Sequence, residues 1–243
     1  MYTGMAEILK VAVVLLFVFV ALSYSEGQKV LFHEDFDDTD NWRPLYFSKI
    51  KEHSSYTTHI DDEEVKCLKA ESNASASALI HKGEFNIYQF PYAKWCWKVE
   101  NLYEQGDAKS KEGDDYPIRI YFIFKYDPEE ASFGERLKYK AAKALYGEYP
   151  PYSALSYIWT SKEHEEKVLI NKYDDRSRMI PLQQGPANVG EWQDEVVNIL
   201  EDYKAAFGKD PPEIASIAIM NDSDNTKESS TSYVDYIEIY SKQ

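Results

Sequence analysis

Short segments in which apolar and polar residues alternate recur along most of the chain, and turn residues separate them. This period of two is the pattern of strands that bury one face. The chain also contains 20 Tyr, 11 Phe and 5 Trp, residue types that favour strands. The pattern predicts an all-β fold, an antiparallel β-sandwich of jelly-roll type, with strands at 29–36, 64–70, 76–81, 84–88, 94–100, 117–125, 155–160, 167–172, 192–198, 214–221 and 232–240.

Two segments carry helical signals instead. Asp127 before a proline is the expected N-cap of a helical insertion at about 128–147. A second, short helix is predicted between an N-cap at Asn198 and a stop at Gly208. The apolar spacing of the first helix predicts a buried stripe made of Phe133, Leu137, Ala141 and Leu145.

The N-terminal segment resembles a secretory signal peptide. The apolar run at 11–22 is preceded by Lys10 and followed by small residues. Twelve apolar residues are too few to span a bilayer, which needs about 20. We therefore expect a signal peptide at 1–25, a single jelly-roll domain at 26–243, no transmembrane span after cleavage, and a secreted or periplasmic location.

Charge and missing motifs exclude several classes of function. The formal net charge of −15 argues against nucleic acid or anionic lipid as a partner, since both attract a basic face. The chain has no zinc-type Cys or His spacing, no glycine-rich phosphate loop and no GxSxG motif. The two cysteines, Cys67 and Cys96, leave a disulfide and two free thiols as open alternatives.

The first and the last strand of the mature chain carry a candidate cation site. Jelly-roll modules that bind sugars often hold a structural calcium between these strands, because a hard cation takes six to eight oxygen ligands. Glu34 and Asp235 are the candidate calcium ligands. The alternative is that both carboxylates face solvent on edge strands.

A second group of candidates follows from alternation in the strands at 94–100 and 117–125. Apolar residues at alternate positions send Lys98 in the first strand, and Arg119 and Tyr121 in the second, to the face away from the core. If both strands lie in one sheet, these side chains share its outer face with Tyr157 and Trp159. Rings and fixed polar groups on a concave face are what a sugar requires, whereas the alternative is a half-buried network of ion pairs.

A third group lies where the apolar strand at 214–221 ends. Asp222, Asp224 and Asn225 follow it at once, so the strand holds them in fixed positions. Two carboxylates at this spacing fit calcium ligands or a local turn. Asp115, which together with Asp114 precedes the strand at 117–125, supplies a facing carboxylate for an acid and base pair with Asp222.

Several of these segments together resemble one protein family. WCWKVEN, GDDYPIRIYFIF, ALSYIW, GEWQDEVVNILEDYKAAFG and IASIAIMNDSDNT ahead of a terminal YVDYIEIY are similar, in this order, to the bacterial domain-of-unknown-function 3047 family. The resemblance implies a secreted or envelope-associated bacterial protein. The family's characteristic polar positions, carried over by this resemblance, fall on Lys98, Asp114, Asp115, Arg119, Tyr157, Trp159, Trp192, Asp202, Asp222, Asp224 and Asn225. The sequence departs from the family pattern at Cys96 and Asn221.

These observations leave three hypotheses for function. The leading one is an exported, non-catalytic module that binds a carbohydrate or a cell-envelope glycan. Its ligand contacts would come from Lys98, Asp114, Arg119, Tyr121, Tyr157, Trp159, Asp224 and Asn225. The alternatives are a polysaccharide hydrolase or lyase, with Asp115 and Asp222 as the catalytic pair, and a purely structural envelope protein.

Overall fold

The computed structural model describes residues 27–61, 64–129, 131–146 and 149–242, which form two β-sheets and two helices. The chain crosses repeatedly between the sheets, so the predicted sandwich of jelly-roll type is confirmed. Among the described residues, no helix is long and apolar enough to cross a membrane. The predicted signal peptide at 1–25 lies outside the described residues.

One sheet has six strands, and the long C-terminal strand is its centre. β13 (Ser229–Lys242) pairs along one edge with β6. Its other edge pairs with β4 near its beginning and with β1 near its end. The remaining strands of this sheet are β1 (Gln28–Glu34), β3 (Ser55–Ile60), β4 (Lys66–Asn73), β6 (Tyr92–Val99) and β11 (Gln193–Asn198).

The other sheet has seven strands in the order β2, β5, β12, β7, β8, β10, β9. Its pairs are antiparallel except for β8 with β10, which run parallel. The strands are β2 (Trp42–Leu45), β5 (Ala76–Asn86), β7 (Arg119–Phe124), β8 (Ser153–Thr160), β9 (Leu169–Ile170), β10 (Ser177–Gln184) and β12 (Ile214–Asp222).

Aromatic side chains from both sheets fill the space between them. The Trp95 and Tyr157 rings have centroids 5.3 Å apart, and those of Trp97 and Trp159 are 6.0 Å apart. All four side chains are fully buried. Burial of rings of this size supplies much of the hydrophobic free energy of folding.

Three strands, β2, β3 and β10, are missing from the strands predicted from sequence. β2 has four residues, one of them proline, and β3 exposes most of its side chains, so neither shows a clear apolar period. In β10, only Met179 is fully buried. These edge or short strands form because their neighbours offer open hydrogen-bonding edges, which local sequence does not encode.

The two helices differ in how well the sequence predicts them. The second, α2 (Ile199–Phe207), has the predicted N-cap at Asn198 and a left-handed Gly208 at its end. The first, α1 (Phe133–Tyr146), begins five residues later than predicted, because Ser132 and Glu135 form a capping box. Asp127 instead accepts a hydrogen bond in a local turn.

The predicted buried stripe of α1 is wrong. Phe133 is 84% and Leu137 64% exposed, and Ala141 is also exposed. The side chain of Leu145, the fourth member, lies outside the described residues. The helix contacts the body through its opposite face, where the Tyr139 ring stacks on Tyr126 with centroids 3.7 Å apart.

The two cysteines are free thiols. Cys67 lies in β4 and Cys96 in β6, and β13 runs between those strands. Two strand spacings put their Cα atoms about 9 to 10 Å apart, beyond the roughly 7 Å limit for a disulfide. Burial raises the pKa of each thiol to about 12, so neither is a reactive thiolate.

Candidate functional site

Two neighbouring strands, β7 and β12, position a polar cluster at one end of the seven-stranded sheet. Arg119 begins β7 and is paired with Met220 of β12, two residues before Asp222. Ile118 and Ile120 point into the core, so Arg119 points to the outer face, as predicted. Asp222 ends β12, and Asp224 and Asn225 follow it in a turn.

A buried ion pair lies at the centre of this cluster. Arg119 donates through Nη2 to Asp222 Oδ2, and the two side chains are only 4% and 3% exposed. The guanidinium carbon lies 4.6 Å from the ring centroid of Tyr116 and 5.5 Å from that of Tyr121. The Nε atom of Arg119 is buried without a hydrogen-bond partner among the described residues.

Asp115 and Asp224 complete a group of three carboxylates with Asp222. One oxygen from each lies within 4.8 Å of the others. Asp115 Oδ2 accepts hydrogen bonds from the backbone N–H of Asn225 at 3.0 Å and of Thr226 at 2.6 Å. These bonds fix the turn that carries Asp224.

Asp114 and Asn225 are each held in place by a tyrosine and a second partner. Asp114 accepts bonds from Tyr116 Oη and Asn171 Nδ2, both at 3.0 Å. Asn225 Nδ2 donates to Tyr173 Oη at 2.6 Å and to the Lys111 carbonyl. Both side chains are therefore fixed before a ligand arrives.

Burial raises the pKa values of three carboxylates in this cluster. Desolvation raises the pKa of Asp222 well above its usual value; Arg119 opposes the shift, while Asp115 and Asp114 add to it. Desolvation also raises the pKa of Asp114 and of Asp224, and Arg119 lowers both. One cation thus offsets several carboxylates in a low-dielectric site.

An open cleft of about 660 Å³ lies above the cluster, on the outer face of the seven-stranded sheet. We call it the outer cleft. Arg119, Asp114 and Asn225 line it. Its aromatic residues include Tyr121, which is half-buried, and Tyr46 and Tyr173, which are 56% and 62% exposed. Its size lies in the range of small-ligand sites.

Lys98 is not part of this cluster, and the prediction that it shares a face with Arg119 is wrong. Lys98 lies in β6 and Arg119 in β7, which belong to opposite sheets. Lys98 Nζ lies 2.9 Å from Asp61 Oδ2 and 4.6 Å from the ring centroid of Trp192. Alternation correctly predicted that Lys98 faces away from the core, but it does not identify the sheet.

Tyr157 and Trp159 are also wrongly placed by the prediction. Both are fully buried between the sheets, so a ligand on the outer face cannot reach them. Tyr157 donates to Asp202 Oδ2 at 2.6 Å, which ties β8 to α2. The other face of β8 is covered as well, by the cluster that includes Ile158 and Met179, so both faces of β8 are buried.

Glu34 and Asp235 do not come together as a cation site. Glu34 accepts hydrogen bonds from the Phe36 backbone at 3.0 Å and the Trp42 indole at 2.9 Å, so both of its oxygens are occupied on the core side. A bulge in β13 turns Asp235 to the outer face, where its charged neighbours include Asp194 and His33.

Two parts of the outer cleft were missed in the sequence. Tyr46 follows the short strand β2, and Asn171 and Tyr173 follow the two-residue strand β9. These loop residues carry no periodic signal. Asn171 reaches Asp114, and Tyr173 reaches Asn225, only through tertiary contacts.

Comparisons with known proteins place this geometry in context. The family model described as "Protein of unknown function (DUF3047)" matches residues 40–238. No curated protein matches the chain.

The solved structures that resemble the chain have low sequence identity to it. A family 11 carbohydrate-binding module from Clostridium thermocellum, in complex with a β-1,3-1,4-mixed-linked tetrasaccharide, has 12% identity and a TM-score of 0.43; the match covers 88% of this chain and 95% of that one. Winged bean acidic lectin complexed with methyl-α-D-galactose has 10% identity and a TM-score of 0.41, covering 89% and 100%. Trichoderma harzianum endoglucanase 3 of family GH12 has 6% identity and a TM-score of 0.38, covering 84% and 99%.

Proposed function

The chain belongs to the DUF3047 family, which is described as a family of unknown function. We propose that it is a non-catalytic module that binds a carbohydrate in the outer cleft. The observation that carries the proposal is the pairing of exposed rings with fixed polar groups in one open cleft. Tyr46, which stacks on His53 with ring centroids 4.2 Å apart, and Tyr173, whose ring centroid lies 5.4 Å from Lys111 Nζ, offer their remaining ring faces for stacking on a sugar. Asp224 and Asn225, the half-buried polar residues of the cluster, offer acceptors and a donor for hydroxyl groups.

The polar groups of the cleft are fixed before binding, which lowers the cost of recognising a ligand. Their hydrogen bonds to Tyr116, Asn171 and Tyr173 remove much of the entropy cost of ordering them around a ligand. A sugar ring that contacts them therefore meets preorganised partners.

Affinity electrophoresis against soluble envelope and plant polysaccharides tests the proposal. We expect retardation on at least one polymer, and a Tyr173→Ala variant should weaken binding at least tenfold, or about 1.4 kcal/mol. Tyr88→Ala is the matched control, because Tyr88 is 43% exposed and does not line the cleft. If no polymer retards the protein, a structural role in the envelope replaces this proposal.

A polysaccharide hydrolase or lyase that uses Asp115 and Asp222 is the alternative. Asp115 accepts backbone hydrogen bonds, Asp222 pairs with Arg119, and the two side chains are 1% and 2% exposed. Neither carboxylate is therefore free to reach a glycosidic bond. Product release from a polysaccharide panel, abolished by Asp222→Asn, would establish the enzyme instead.

Calcium is the cofactor that the cluster of Asp115, Asp222 and Asp224 could accept, because carboxylates are its preferred ligands. Arg119 and the backbone N–H groups already occupy Asp222 and Asp115, so calcium would have to displace them. We therefore expect glycan affinity to be the same in EDTA and in millimolar calcium. A loss of affinity in EDTA would assign the cluster to a cation.

Export is part of the proposal and rests on the signal pattern at 1–25. A secreted or periplasmic location would place the cleft next to envelope glycans. Cell fractionation with N-terminal sequencing of the mature protein is the test. Recovery of the uncleaved chain in the cytoplasm would contradict it.

A further inference from the structure

Helix α1 presents an apolar stripe to solvent. At 3.6 residues per turn, Phe133, Leu137, Ala141 and Ala144 fall within an arc of about 80°. All four are exposed, and Phe133 and Leu137 are 84% and 64% exposed. Tyr139, which attaches the helix to the body, lies on the opposite side of the helix. The stripe therefore faces directly away from the domain.

Cations flank this stripe on both sides. Arg136 and Lys140 lie along one edge and Lys138 along the other, and all three are exposed. Lys143, also exposed, lies beyond Arg136. The sequence of α1 contains a single acid, Glu135, whose carboxylate is bonded to Ser132. A helix with three net positive charges thus stands in a chain of net charge −15.

The basic character continues beyond the helix. A pocket of about 410 Å³ between α1 and the end of α2 is lined by four basic residues, Lys138, Arg176, Arg178 and Lys209, and by two acidic ones, Glu135 and Asp175. Arg176 is neutralised by Asp174, but Arg178 and Lys209 lie over the rings of Phe207 and Tyr152. Basic side chains therefore outnumber acidic ones on α1 and around this pocket, whereas Asp127, Glu129, Asp210 and Glu213 line the neighbouring pocket on the other side of Glu135.

We propose that α1 docks the protein on an anionic lipid surface, with the apolar stripe in the interface and the flanking cations at the headgroups. An apolar face with lysines at its edges is the arrangement of helices that lie in the membrane interface. Charge complementarity selects an anionic surface, since each basic side chain is attracted to anionic headgroups. The net charge of −15 for the whole chain does not show that α1 itself is positively charged.

A fluorescence experiment tests the proposal at the helix itself. Leu137→Cys and the control Val196→Cys are labelled with a polarity-sensitive fluorophore; both positions are 64% exposed, and the native thiols are buried. With vesicles of phosphatidylcholine and phosphatidylglycerol, we expect a blue shift at position 137 and none at 196. The apolar run at 11–22 is common to both variants, so binding through it would not distinguish them.

Charge variants measure the electrostatic contribution of the flanking cations to vesicle binding. Lys140→Glu should reduce vesicle binding at least tenfold, whereas Lys162→Glu, in a loop outside α1, should change it less than twofold. Added salt should weaken binding as screening increases. Either of two fluorescence results overturns the proposal: no shift at position 137 with anionic vesicles, or an equal shift with phosphatidylcholine alone. It is also overturned if the wild-type protein is a dimer that does not bind vesicles and Leu137→Ser makes it monomeric, because the stripe would then be a dimer interface.

Discussion

Replacing Arg119 by methionine should destabilise the protein strongly, and more at neutral than at acidic pH. Methionine keeps an unbranched stem against Tyr116 and Tyr121 but removes the cation from among Asp114, Asp222 and Asp224. Removing one member of a buried ion pair costs about 3 to 5 kcal/mol. For a domain of this size that loss lowers the melting temperature by about 6 to 20 °C.

The pH dependence has a defined sign. Arg119 lowers the pKa of Asp114, Asp222 and Asp224, so the variant raises all three in the folded state only. Between the unfolded value of about 4 and these raised values, the folded variant binds more protons than the unfolded chain. Its stability therefore falls as pH rises through that window, and the deficit relative to the wild type shrinks on acidification.

Urea denaturation followed by tryptophan fluorescence, at about pH 7 and about pH 5, measures both effects. Lys125→Met is the matched control, because Lys125 pairs with Glu84 on the surface, where the side chains are 62% and 48% exposed. Such a pair contributes about 0 to 1 kcal/mol. An Arg119→Met deficit below about 1 kcal/mol, or one that does not shrink at the lower pH, would refute the reasoning.

Three further predictions test other parts of the structure. Cys67 and Cys96 should both be alkylated in denaturant without prior reduction, and a single disulfide-linked species would contradict the strand order. Gly208→Ala should lower the free energy of unfolding by about 1 to 2 kcal/mol in a thermal melt, because Gly208 has a left-handed backbone conformation. Gly134→Ala should raise it by about 0.5 to 1 kcal/mol, because alanine favours a helix and no atom lies near the added Cβ. Effects of the same sign would contradict this view. Trp159→Ala should lower the free energy of unfolding by about 3 to 5 kcal/mol, because the side chain is fully buried. Affinity electrophoresis of the folded fraction should show unchanged glycan affinity, whereas loss of a ligand contact would weaken it.

Local signals in the sequence predicted the parts of the fold that local interactions determine. The caps at Asn198 and Gly208 define α2, because both act within a few residues of the helix ends. The apolar run at 217–220 likewise predicted a strand that ends at 221, one residue before the end of β12, and with it the position of the polar cluster. In each case, the residues that decide the structure are adjacent in the chain.

Which sheet or which surface a face packs against is determined by tertiary contacts, and here the predictions failed. Alternation sent Lys98 and Arg119 away from the core, but it could not show that β6 and β7 lie in different sheets. Helical periodicity found the apolar stripe of α1, but Tyr139 stacks on Tyr126 and turns the stripe outwards. A hydrophobic period identifies a face without identifying its partner.

The position of α1 relative to the polar cluster connects the two proposals. Arg119 begins β7, and just beyond the other end of β7 the Tyr126 ring stacks on Tyr139 of α1, so the cluster and the helix lie towards opposite ends of this strand. Five steps of about 3.3 Å put Arg119 about 17 Å from Phe124 along the strand. With α1 on a lipid surface, Arg119 and Asp222 would lie at the end of β7 that is farther from α1. Docking of this kind would direct the cluster end of the outer cleft away from the lipid, where a glycan chain could enter without competing with it.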